Sequence, residues 1–351
     1  MKKILFFCTL FALGPLFSEC CPPVCLGQVY MSDEIGVRTP AASAAAGWSG
    51  LLVLGDFLYW TAREEVLEYA FNGNRLSPST ARGNIKVEEP DFEWDPGFRV
   101  GLGYRIPLDF WEAKARWTRF QTEASGTSFN PSGLGNFSIW TDGYAWNETT
   151  MTNLIQAKWH LTFNLAEVGL SRSFFLGKNI ALDFQFGGVG GWISQRYNIE
   201  CPNLVFSNGV IQNLSLKFTN DFRGGGIFLA LSPQWYFLNS LSCICDFSAY
   251  LLRGSFSLNQ NWIRVQQGIS DMSLAKDYSR SRAALRSSFG FQWETDPQNC
   301  WYHLAFSASY EGFIWFKQNL WSQVISYYME NIERRGDLVM QGLSLSAQID
   351  F

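Results

Sequence analysis

The last ten residues, 342–351, read GLSLSAQIDF. Leu343, Leu345, Ala347, Ile349 and Phe351 alternate without a break against Ser344, Ser346, Gln348 and Asp350. A period of two places the first set on one face of a strand and the second on the other. The length is that of a tilted strand crossing a bilayer, and the chain stops on an aromatic ring. A single strand of a soluble sandwich can read the same way. The pattern therefore constrains the fold only if the rest of the chain repeats it.

It does. In residues 94–106, Phe98, Val100, Leu102 and Tyr104 oppose Arg99, Gly101, Gly103 and Arg105. In 110–120, Trp111, Ala113, Ala115 and Trp117 oppose Glu112, Lys114, Arg116 and Thr118. On a helix these charges would scatter around the whole surface and leave no apolar stripe. In 151–175, Ala157, Trp159, Leu161 and Phe163 oppose Lys158, His160, Thr162 and Asn164. That alternation falters near Glu167, which predicts a bulge. Further runs follow at 180–198, 222–237, 242–257, 284–294 and 301–316, after a first at 51–61.

The connections are sorted. Short corners fall near 107–109, 176–179, 238–241 and 296–299, and long polar segments near 62–93, 121–150, 200–220, 258–282 and 318–338. Outer-membrane barrels alternate tight periplasmic turns with long outer loops. The predicted fold is all-β: a transmembrane antiparallel up-and-down β-barrel of about 10 strands (range 10–16), both termini periplasmic. Composition agrees, with only 17% charged residues and 17% aromatic, including 15 Trp for the interfacial girdles. No stretch after the N-terminus has about 18 uninterrupted apolar residues, the length of a spanning helix. In lipid a β-chain satisfies its backbone only by closing.

Residues 1–18 read as a signal peptide: Lys2 and Lys3, an apolar run from Ile4 to Leu13, then small residues near Ser18. Residues 19–48 read as a flexible periplasmic lead-in and 49–351 as the barrel. A net charge of −4 offers no basic field for nucleic acid.

Charges on the polar parity are the pore-lining candidates: Arg99, Arg105, Glu112, Lys114, Arg116, Lys158, His160, Asp183, Arg286, Glu294 and Glu311. Their mixed signs argue against steep ion selectivity. A barrel this narrow can also fill its interior with salt-bridged side chains. The two histidines, His160 and His303, lack a nucleophile motif, and no cofactor or metal motif is present. The glycine runs 187–191 and 224–226 lack the Lys-Ser/Thr tail of a phosphate loop and read as bends or bulges in the wall. An exported chain can form disulfides. Cys20, Cys21, Cys25, Cys243, Cys245 and Cys300 fall on the predicted periplasmic side as candidates for bonds within or between chains, and Cys201 falls in an outer loop.

Residues 55–70, GDFLYWTAREEVLEYA, and 92–104, FEWDPGFRVGLGY, resemble signature segments of the chlamydial major outer membrane protein-like family of Gram-negative bacteria, whose members also occur in Legionella. Residues 220–237, 309–316 and the Phe-terminated last strand follow in matching order. The resemblance covers residues 50–351, without the loops at 121–150 and 258–282 or the Cys-rich lead-in. It implies a pore-forming barrel of the bacterial outer membrane, and cysteines associated with disulfide cross-linking of the envelope. The expected partners are outer-membrane lipid, the barrel assembly machinery, to which Phe351 would be the signal, and disulfide-linked envelope neighbours. The expected function is passive diffusion of small hydrophilic solutes. The alternative is a plugged structural or adhesin barrel acting through its outer loops.

Overall fold

A computed structural model describes residues 50–73, 85–106, 111–131, 136–141, 152–177, 179–205, 211–238, 240–264, 269–294, 302–325 and 330–351. The proposed signal and lead-in lie outside these residues. Fourteen strands are present among them: β1 (Gly50–Glu64), β2 (Ala70–Gly73), β3 (Ile85–Glu88), β4 (Asp91–Phe92), β5 (Trp94–Arg105), β6 (Trp111–Phe129), β7 (Asn136–Ser138), β8 (Leu154–Phe175), β9 (Ile180–Val205), β10 (Ile211–Leu238), β11 (Leu241–Arg264), β12 (Ile269–Glu294), β13 (His303–Ile325) and β14 (Glu330–Asp350).

Ten of them close a ring. β5, β1, β14, β13, β12, β11, β10, β9 and β8 follow one another, and β6 joins β5 to β8. The first and last strands pair from Leu52↔Asp350 to Glu64↔Leu338. β4 extends the β5 edge along β6, and β2, β3 and β7 form a small separate sheet. The count agrees with the sequence expectation. The outer connections differ from it. β9 and β10 run 26 and 28 residues, more than twice the roughly 10 residues a tilted strand needs to cross hydrocarbon. The segments near 200–220, 258–282 and 318–338 are thus largely strand, forming hairpins that project beyond the membrane.

The strands exchange faces along their length. On β6 the outward residues are Trp111, Ala113, Ala115 and Trp117 in the lower part, then Arg119, Gln121, Glu123 and Ser125. The inward residues run the other way, from Glu112, Lys114 and Arg116 to Phe120 and Ala124. β8 does the same, with inward Ile155, Trp159, Leu161 and Phe163 above and Glu167 and Ser171 below. Where the wall faces lipid, grease is outside and polarity within. Where it projects into water the burial rule is that of a soluble protein, apolar within and polar outside.

Two expected bulges are absent, and the exchange of faces explains the first. No bulge occurs at Glu167, because β8 pairs without a register shift with both β6 and β9 there. The parity only seems to falter, since the same inward face turns from apolar to charged. The glycine runs are not bulges either: the β9–β10 ladder is continuous through Gly224↔Gly191 to Phe228↔Gly187. Two of their glycines mark close approach of neighbouring backbones: a Cβ on Gly187 would stand 2.2 Å from the Val168 carbonyl oxygen and one on Gly226 1.9 Å from that of Leu251.

Candidate functional site: a lumen in three layers

The lowest layer is a polar vestibule at the end of the barrel that carries the chain's last residues, a cavity of about 300 Å³. Arg105 pairs with Glu112, and Lys114 lies 2.6 Å from Glu112 and 3.4 Å from Asp183. His303 Nδ1 is 3.3 Å from Asp350, and its Nε2 is 3.9 Å from Glu294. Gln234 and Gln292 also donate to Glu294.

Above it a chain of ion pairs crosses the lumen. Arg99 Nη1 meets Asp56 at 3.0 Å and its Nη2 meets Glu311 at 2.8 Å. Arg286 stands 3.6 Å from Glu311 and 3.5 Å from Glu167. Arg116 and the Tyr250 hydroxyl reach the other Glu167 oxygen at 3.3 and 2.8 Å. The Arg286–Glu167 pair joins β12 to β8, with three strands between them on the shorter side of the wall. Side chains of Glu167, Glu311, Arg286 and Arg99 are all buried. Each charge has an opposite partner, without which such burial would be prohibitive.

The third layer fills the projecting half with aromatic rings. Phe163 of β8 meets Phe313 and Trp315 of β13 across the interior at 5.8 and 5.7 Å. Higher up, Phe218 packs on Trp262 at 5.2 Å, on Trp140 at 5.4 Å and on Trp321 at 5.8 Å. Trp60, Trp159, Trp262, Trp315 and Trp321 are essentially inaccessible. A ten-stranded ring is wider than an eight-stranded one, which ordinary side chains just fill. Long Arg side chains and indoles span the additional width. The 3₁₀ turn at Ile139–Thr141 and the segment after β1 enter the mouth. Trp140 Nε1 donates to the Glu68 carbonyl and Tyr197 to that of Leu67.

Nine of the eleven pore-lining candidates point inward: Arg99, Arg105, Glu112, Lys114, Arg116, Asp183, Arg286, Glu294 and Glu311. Lys158 and His160 do not, and this corrects the sequence reading. They lie on the water-facing outer wall of β8, where both contact Glu123. Their strand has left the lipid, so its polar parity faces out. Asp56, Glu167 and Asp350 were missed. Asp350 sits on the polar parity of the last strand and was legible. Asp56 is flanked by Leu54 and Leu58 on its own face, and Glu167 continues an apolar face, so alternation hid both.

Cys20, Cys21, Cys25 and Cys300 lie outside the described residues. Cys243 and Cys245 are free thiols on the outward face of β11. Two positions apart on one face, their Cβ atoms are about 6–7 Å from each other, too far for mutual pairing. Cys201 is not in a loop. It faces the core from β9, where burial pushes its thiol up to about 12.

Glu64 lies above the membrane-spanning part, buried in the aromatic layer. Gln195 Nε2 donates to its Oε2 at 2.9 Å, and its Oε1 has no partner. Burial raises its pKa above the ordinary value, and neighbouring Glu65 and Asp337 raise it further, against the Gln195 hydrogen bond. The fold therefore holds a proton that the unfolded chain releases above about pH 4.5. This contribution is fully present below that pH and is lost as pH rises through the folded pKa. Glu64→Gln is expected to raise resistance to thermal unfolding at pH 8 and to leave it unchanged at pH 4. A band-shift melt in detergent at the two pH values checks this, and equal gains at both would refute it.

A closed ring of antiparallel strands, with an apolar outer belt around a charged interior, defines a β-barrel of the bacterial outer membrane. The chain belongs to the family described as Legionella pneumophila major outer membrane protein precursor, which it matches over residues 44–351. No curated protein matches the sequence. Among solved structures, the outer membrane protease OmpT from Escherichia coli is 6% identical with a TM-score of 0.40, covering 86% of this chain and 96% of its own. The CymD monoaromatic hydrocarbon channel is 10% identical with a TM-score of 0.35, covering 89% and 91%. Ail, the attachment invasion locus protein of Yersinia pestis, is 12% identical with a TM-score of 0.22, covering 86% and 99%. Likenesses this distant carry nothing about activity.

Proposed function

We propose that this barrel is sealed to solute flow and serves the envelope as a structural and interaction element through its outer extension. One observation carries the reading: the ion-pair chain and the aromatic layer bring opposite walls into contact, with Glu167 and Trp315 inaccessible to water. A diffusion path needs a continuous wet lumen, whereas a packed interior costs several kcal/mol to open. The projecting strands give the extension a rigid core of its own, as a surface for contact requires. The reading is also non-catalytic. His160 is held by a carboxylate on the outer wall and His303 by carboxylates at the opposite end.

The vestibule favours a second reading, the diffusion pore, because it is polar, charged and placed at one mouth of the barrel. Passage through it requires the Arg99–Glu311 and Arg286–Glu167 contacts to part. Planar bilayers decide between the two. The refolded full chain, verified as a heat-modifiable band, is expected to give no unitary conductance. Stable stepwise current would overturn the sealed reading and establish the pore.

A further inference from the structure

The ladder between β12 and β13 runs only from Glu294↔Ala305 to Ala284↔Trp315. Beyond it β13 follows β14 alone, after an irregularity between Trp315 and Asn319. The upper part of β12 and the β13–β14 hairpin are bridged by side chains instead. Glu333 of β14 lies 2.7 Å from Lys276 and 3.4 Å from Arg280 of β12, and 2.7 Å from Arg335. Arg282 stands close enough to Arg280 and Arg335 to be repelled by both. Among the described side chains, three cations thus meet Glu333 directly and a fourth stands beside them.

Arg282 makes the imbalance acute. It is 6% exposed, and its Nε and Nη2 have no hydrogen-bond partner. Its guanidinium lies 4.5 Å over the Phe256 ring, which offsets part of the burial cost. Burial lowers its pKa, and repulsion from Arg280 and Arg335 lowers it further, against the neighbouring Tyr278 hydroxyl, which raises it. Tyr278, stacked on Phe256 at 4.8 Å, also has a buried hydroxyl without a partner. Lys276 and Arg280 stand 5.9 and 5.6 Å from the Tyr278 ring. A buried guanidinium among like charges, beside an unused hydroxyl donor, is an arrangement completed by an anion with several acceptor oxygens. Glu333 fills that role in part: hydrogen bonds from Lys276 and Arg335 hold its carboxyl down at about 2.

We propose that Lys276, Arg280, Arg282 and Arg335 form a binding site for an oxyanion, a phosphate or sulfate ester group presented from outside the cell, with Glu333 as the resident competitor. These cations lie above the lipid-facing belt of β12. The site therefore stands whether the lumen conducts or not, and bilayer conductance does not bear on it.

The test uses the refolded full chain in zwitterionic detergent at low salt, titrated calorimetrically with inorganic phosphate. The double variant Arg280→Gln/Arg335→Gln is expected to weaken binding at least about tenfold, because each lost contact is a charge-assisted hydrogen bond. Glu333→Gln is expected to strengthen it about tenfold, by removing the competitor. Glu123→Gln makes the same charge change on the outer wall and is expected to leave binding unchanged. Phosphate that binds no better than chloride, or equal affinities for wild type, Glu333→Gln and the double variant, would overturn the site. If the double variant does not fold, Glu333→Gln against Glu123→Gln still decides. A second arm separates the sources of the oxyanion. Melting in vesicles with and without lipopolysaccharide is expected to shift equally for wild type and Glu333→Gln if the group is soluble. A larger shift in Glu333→Gln supports the same site with the lipid headgroup as its source.

Discussion

Replacing Glu167 by alanine is expected to destabilise the barrel by about 3–5 kcal/mol, the cost of breaking a buried ion pair and stranding its partners. Glu167 is 1% exposed and receives Arg116, Arg286 and the Tyr250 hydroxyl. Its removal leaves two guanidinium groups facing each other in the lumen, with Arg286 still close to Glu311. Glu167→Gln keeps the shape and one acceptor, so its cost should fall between that of alanine and zero. Glu167→Leu combined with Arg286→Met should recover part of the loss, because exchanging a whole buried pair for apolar groups is often neutral. Urea titrations of the folded band in detergent measure all three. If Glu167→Ala lost less than about 1 kcal/mol, the pair would have the worth of a solvent-exposed one. The ion layer would then be wet and the sealed reading would fail with it.

Trp315→Ala is the second large effect, about 3–5 kcal/mol for deleting a fully buried indole whose surroundings cannot collapse. Its ring lies 5.7 Å from Phe163, 5.6 Å from Phe313 and 6.4 Å from Phe222. Those neighbours sit on three different strands whose backbones are fixed by ladder hydrogen bonds, so the cavity should persist. Trp192→Ala is the comparison. That ring is 45% exposed on the outer surface, and its loss should cost much less. Tryptophan fluorescence during urea unfolding reports both. Equal costs for the two would mean that the projecting half has no packed core.

Much of this architecture was legible in the chain. The alternation of Leu343 to Phe351 and of Trp111 to Thr118 gave strands that cross lipid, and the sorting of short and long connections gave the ring of ten. The inward charges of the membrane half, such as Arg99, Arg286 and Glu311, were found by the same rule. The rule failed at Lys158 and His160 because it carried one assumption too far, that the polar parity always faces the lumen.

Alternation alone fixes one apolar and one polar face for each strand, because successive side chains point to opposite sides whatever surrounds them. Which of those faces turns inward is set once the strands are assembled into the ring. A period of two is unchanged when the faces are exchanged, and the choice depends on whether lipid or water lies against the wall at that height. The long strands of β9 and β10 put that boundary within single elements. Phe163 and Glu167 therefore share one face of β8 while belonging to two different kinds of interior.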